Sequence, residues 1–87
     1  MRRANLDIFW TTNAAGYPRL GLVVSKSGES GVSRNRLRRR LKEVWRRDLR
    51  PQLPAWDVVI RAHREAYAAP FNLLRADLLA WREASVE

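Results

Sequence analysis

The sequence predicts an α+β domain, a two-layer α/β sandwich with the element order ββαβα. Three short segments alternate apolar residues with period two, as strands with one covered face do. Two longer segments repeat apolar residues at helical spacing, and Gly, Pro and Asn fall between the segments. With 87 residues, 46% of them hydrophobic, the chain is expected to form a single domain over 1–87 around one core, with residues 1–5 frayed.

The first strand is read over 6–12, with Leu6, Ile8 and Trp10 on one face and Phe9 on the other. Residues 13–18 contain Asn13, Gly16 and Pro18 and are expected to turn the chain into a hairpin with a second strand, where Leu20, Leu22 and Val24 alternate with Gly21 and Val23. A polar loop with two glycines follows. From 34 to 50 the chain reads as one long helix, because Leu37, Leu41, Val44, Trp45 and Leu49 form a single apolar stripe; Ser33 stands ahead of it as the expected N-cap. Pro51 and Pro54 stop this helix. In residues 56–62, Val58, Ile60 and Ala62 alternate with Asp57, Val59 and Arg61 as a third strand, and 63–67 reads as a loop. Pro70 is placed as the first residue of a last helix, whose stripe is Phe71, Leu74, Leu78 and Trp81.

Charge is concentrated in the long helix. Nine cations (Arg34, Arg36, Arg38, Arg39, Arg40, Lys42, Arg46, Arg47, Arg50) face only Glu43 and Asp48, whereas cations and acids nearly balance elsewhere in a chain of net charge +8. Most charged helices are solvated faces whose opposite charges alternate at i,i+4. Here like charges recur at that spacing, as in Arg36/Arg40 and Arg38/Lys42, at a cost of a few tenths of a kcal/mol per pair, ~0.2–0.5. A polyanion would supply the missing counter-charge.

Catalytic groups are scarce. His63 is the single histidine, there is no cysteine, and the acids are scattered, so no nucleophile with its base, no zinc site and no paired carboxylates are expected; the expected catalytic and metal residues are none. Gly28 and Gly31 lack phosphate-loop spacing. Without an apolar run of about 18 residues, no membrane helix is expected, and the absence of cysteine suits a reducing cytoplasm. What remains is a nucleic-acid surface. Arginines at a helix start can fork onto phosphates, and Trp10 on an open sheet face would offer a stacking platform, although a core role suits it equally.

The run Val23-Val24-Ser25-Lys26, then Gly31-Val32-Ser33-Arg34-Asn35-Arg36-Leu37-Arg38-Arg39-Arg40-Leu41-Lys42-Glu43, closely resembles the signature of the protein subunit of bacterial ribonuclease P, and residues 57–62 look like that family's later strand. The resemblance implies a fold similar to ribosomal protein S5 domain 2, with the basic helix crossing between two parallel strands. It implies contacts to the catalytic RNA subunit by Arg34, Asn35, Arg36, Arg38, Arg39, Lys42, Arg46 and Lys26. It further implies that the 5′ leader of precursor tRNA lies in a cleft at Ile8 and Trp10, and that endonucleolytic removal of the leader is catalysed by the RNA subunit with Mg2+. The protein itself would bind no cofactor, with one copy per RNA. The family's usual opening helix has no counterpart in these residues, so the expected cleft lacks one wall. Position 40 is apolar in the family pattern and Arg here, and Ser27 stands in place of a lysine. The competing reading is a ribosomal or other structural RNA-binding protein without a processing role; a basic amphipathic helix lying on a membrane fits the stripe but not the strands.

Overall fold

A computed structural model describes residues 1–3, 5–25 and 30–86. The strand that organises the sheet is β3, Trp56–Ala62, which lies between β1 (Leu6–Thr12) and β2 (Arg19–Val24) in the order β1-β3-β2. It pairs antiparallel with β1, setting Ile8 opposite Ile60 and Phe9 opposite Val59. With β2 it is parallel, setting Leu20 opposite Val58 and Leu22 opposite Ile60. Two helices, α1 (Gly31–Val44) and α2 (Phe71–Ser85), supply the second layer. Their stripes, Leu37, Leu41 and Val44 on α1 and Leu74, Leu78 and Trp81 on α2, close one core against Leu6, Ile8, Val58, Ile60 and Ala62. The parallel β2–α1–β3 crossover and the two-layer α+β architecture match the expectation.

The expected hairpin does not form, because β3 separates β1 from β2. Residues 13–18 instead bridge two strand spacings, about 10 Å, over the start of β3. Asn13 pins the crossing: its N–H donates to the Ala55 carbonyl at 2.9 Å, and its Nδ2 donates to the Tyr17 carbonyl and to Asp57 Oδ1 at 3.0 Å each. Gly16 supplies the positive φ (85°) that this turn requires. Residues 1–3, expected frayed, pair back on β1: the Ile8 N–H donates to Met1 O and the Arg3 N–H to Leu6 O, both at 2.7 Å.

The start of α1 lies earlier than expected. Ser30, not Ser33, is the N-cap, since its backbone is extended and its hydroxyl accepts the Ser33 N–H at 3.1 Å, which puts Ser33 inside the first turn. The long helix is also not uniform. Leu37, Leu41, Trp45 and Leu49 follow one another at steps of four, and each such step drifts about 40° around an ideal α-helix. A π-helical turn over Trp45–Leu49, in which the Arg50 N–H bonds the Trp45 carbonyl, widens the coil and returns buried Leu49 to the core. A 3-10 turn, Arg50–Gln52, with Pro51 inside it, ends the rod, and Leu53 after it is extended, as Pro54 favours. From α2, Arg75 grips Asp48 at 2.9 and 3.2 Å and Arg82 Nη1 donates to the Asp48 carbonyl at 2.7 Å.

Past β3, Arg64–Tyr67 forms a 3-10 turn where a loop was expected, and the Tyr67 hydroxyl donates to the Ser25 carbonyl. Pro70 is the N-cap of α2, one residue ahead of the expected placement. Phe71, read as part of the α2 stripe, is exposed: as the first residue of the helix it lines a surface hollow with Glu43, Arg47, Asp48 and Arg75.

Leu41 is fully buried at the middle of the α1 stripe. Leu41→Ala is expected to lower stability by about 2–5 kcal/mol, read as a shift of the denaturant midpoint without a change in slope.

Candidate nucleic-acid interface

Because its stripe must lie on the sheet, α1 turns its remaining circumference to solvent. Asn35, Arg36, Arg38, Arg39, Lys42 and Arg46 are exposed and Arg34 is half-buried, so the structure brings these expected contact residues together on one outward surface. Lys26 lies outside the described residues. The acids of this segment do little to offset the charge. Glu43 takes Arg46 at 2.6 Å and Arg47 at 3.8 Å, and Asp48 is turned to Arg75. Among the described residues, Arg36, Arg38, Arg39, Arg40, Lys42 and Arg50 form no ion pair. No acid occupies the first turn of α1, where free amides favour anions. On the flank toward α2, Arg36 and Arg40 line a groove of about 200 Å³ with Ser33, Leu37 and the turn Tyr67–Ala68–Ala69. Arg40, outside the expected contact set, belongs to this surface; its departure from the family's apolar residue is the signal that marks it.

The second expected contact group does not stand where it was placed. Ile8 is wholly buried, so its side chain offers nothing to a ligand. Trp10 shares the helix-covered face of β1 and is 38% exposed because it sits at the strand's end, packed edge-on to Trp81 at 5.4 Å and tilted against Trp56 at 6.3 Å. The reason is parity: even positions of β1 point to the helices and odd positions to the uncovered face, and a shift of one residue exchanges the two. The aromatic on the uncovered face is Phe9, 52% exposed, in register with Val59 and on the same face as exposed Val23. Alternation against charged Asp57 and Arg61 in β3 was the signal that could have marked it. Gly21 deepens this face: a shallow hollow of about 350 Å³ lies over Gly21 and Val59, rimmed by Arg19 and Asp57, which pair at 2.7 Å.

At the other end of the same face, Asp7 is 2% exposed and carries a cluster. Its Oδ2 accepts from Arg61 Nη2 at 2.6 Å, Arg61 Nε at 3.2 Å and His63 Nε2 at 2.8 Å. These hydrogen bonds, His63 first and Arg61 second, hold the Asp7 carboxyl at about 2, below its ordinary 3.8. The Arg61 guanidinium stands 5.8 Å above the centre of the Phe9 ring. His63, expected as a plain surface or loop histidine, is thus a bonded member of this face. Among the described residues, no group of three or more His, Asp or Glu could hold a metal ion, and no helix is long and apolar enough to cross a membrane.

A two-layer domain whose crossover helix bears a concentration of exposed cations, beside an open sheet face with an exposed aromatic, defines a small basic α+β protein with a surface suited to a polyanion. The chain belongs to the ribonuclease P family, whose sequence model matches residues 1–84. The ribonuclease P protein component of Pseudarthrobacter chlorophenolicus is 35% identical over 85 residues, 97% of this chain and 62% of that protein. Its counterpart in Idiomarina loihiensis is 41% identical over 83 residues, 92% of this chain and 65% of that protein. The Brucella suis protein component is 45% identical over 62 residues, 70% of this chain and 44% of the relative, so the chain spans about half the length of such relatives. The solved Staphylococcus aureus RNase P protein superposes with a TM-score of 0.87 at 22% identity, over 99% of this chain and 80% of that one. At that identity the superposition speaks for the fold.

A carboxyl whose pKa is lower in the folded than in the unfolded chain adds stability above the unfolded value and loses it as the pH falls through the folded value. The Asp7 contribution is therefore expected in full above pH 3.8 and to vanish toward pH about 2. Thermal unfolding of wild type and Asp7→Asn between pH 2 and 7 checks this: the gap between them should close on acidification across that window.

Proposed function

We propose that this protein is the protein component of a ribonuclease P, assisting endonucleolytic removal of the 5′ leader of precursor tRNA. The single observation that carries the reading is the row Arg36, Arg38, Arg39, Arg40 and Lys42 on α1, which form no ion pair among the described residues, in a chain of this family. Arg34, Asn35, Arg36, Arg38, Arg39 and Lys42 grip the catalytic RNA, with Arg40 added from the flank. Catalysis lies with that RNA and its Mg2+, one protein serves each RNA, and the complex works in the cytoplasm. The leader, a single strand, is held on the uncovered sheet face by Phe9, Val59 and Val23, in place of Ile8 and Trp10, since exposed aromatics stack unpaired bases.

Adding the purified protein to a bacterial ribonuclease P RNA at low magnesium is expected to restore cleavage of precursor tRNA; cleavage no better than with the RNA alone refutes the reading. Arg36→Gln should weaken RNA binding by about 1–3 kcal/mol with an unchanged melting temperature, because the side chain lies off the core stripe. If Arg36, Arg38, Arg39, Arg40, Lys42 and Arg50 all meet phosphates, the log–log salt slope of binding should be about −4 to −5.

A further inference from the structure

The Asp7 cluster serves neither the core nor the basic helix. Arg61 and Asp7 are register partners on the uncovered sheet face, and neighbouring Phe9 and Val59 show that this face accepts apolar side chains. A carboxylate buried there is a poor way to stabilise a sheet. Its Oδ1 has no partner among the described residues, while Oδ2 takes three donors. An apolar pair of similar volume is commonly as stable as a buried ion pair or more so. Stability alone, which an apolar pair could supply as well, therefore does not account for Asp7.

Its geometric effect does. Two bonds to one edge of the guanidinium, at Nε and Nη2, hold Arg61 above Phe9, Nη1 takes no part in them, and the side chain remains 52% exposed. His63 is held by Nε2 in the same way, with Nδ1 left over. A guanidinium ordered in advance loses less freedom when a ligand arrives, and its planar fork matches phosphate.

We propose that Asp7 is a positioning residue, which presets Arg61 and His63 as a receptor for one backbone phosphate of single-stranded RNA, with the Phe9–Arg61 stack as the platform for the adjoining base. The inference rests on the reading of this face as the leader site. It differs from simple electrostatics in sign. Removing a negative charge from an RNA-binding face should strengthen binding, whereas loss of a positioning group weakens it.

The test compares precursor tRNAs with leaders of one and of several nucleotides in the reconstituted holoenzyme, taking the ratio of affinities as the leader gain. Asp7→Asn is expected to lower the gain about two- to tenfold, the factor for ordering one long side chain. In an Arg61→Gln/His63→Gln background, Asp7→Asn should have no further effect. The paired substitution Asp7→Val with Arg61→Val should keep or raise the melting temperature and still lose the gain, which separates positioning from folding. An unchanged or larger gain in Asp7→Asn overturns the proposal. Should the wild-type protein fail to stimulate cleavage at either leader length, the ribonuclease P reading fails, and Asp7 is then judged on binding of a fluorescent RNA pentanucleotide to the free protein: weaker binding by Asp7→Asn upholds the positioning role, and equal or tighter binding overturns it.

Discussion

The alternation of β3 is the constraint on which the rest of the molecule depends. As the middle strand, it must satisfy two ladders and cover one face, so Val58, Ile60 and Ala62 go beneath the helices while Asp57, Val59 and Arg61 go to the other side. Once that parity is set, β1 follows through its register: Leu6 and Ile8 join the core, and Asp7 and Phe9 face out. The helices can then dock on one side only. An α1 whose apolar stripe lies on the sheet has no choice but to present its arginines to solvent.

The basic helix shows how the fold tolerates concentrated charge. Acids near its C-terminal part serve local ends, since Glu43 ties Arg46 and Arg47 and Asp48 fastens the π turn to α2 through Arg75. In the N-terminal half, Arg36, Arg38, Arg39 and Arg40 form no ion pair among the described residues and follow the first turn, where helix dipole and side-chain charge share one sign. Repulsion within this half is the cost of a surface ready for phosphate. The π turn makes that arrangement compatible with packing, because without it the stripe would rotate Leu49 away from the core as the rod lengthened.

The two faces divide the chemistry. On α1 most of the cations are exposed, suited to a backbone of high charge density and to binding that weakens with salt. On the sheet, aromatic and aliphatic groups sit beside a single bonded arginine and histidine, a surface of lower charge that suits an unpaired strand whose bases can stack. Relatives in this family are longer than the chain described here, and the likeness of the solved structures at low identity rests on this same sheet and pair of helices.

Much of this was legible in the sequence because it depends on local periodicity. Apolar spacing determined the three strands and two helices, the prolines at 51 and 54 determined where the basic rod stops, and uncompensated charge at i,i+4 marked the helix whose surface suits a polyanion. Tertiary structure alone decided what periodicity leaves open. A turn-rich segment between two strands reads equally as a hairpin or as a crossing over a third strand, and only the insertion of β3 chose between them. Alternation in β1 separates Ile8 and Trp10 from Phe9 but does not say which set faces the helices, since both sets carry large apolar groups; register with β3 settled that. The Asp7, Arg61 and His63 cluster was equally invisible, because Arg61 and His63 lie 54 and 56 positions from Asp7 and meet it only when two strands distant in the chain lie side by side.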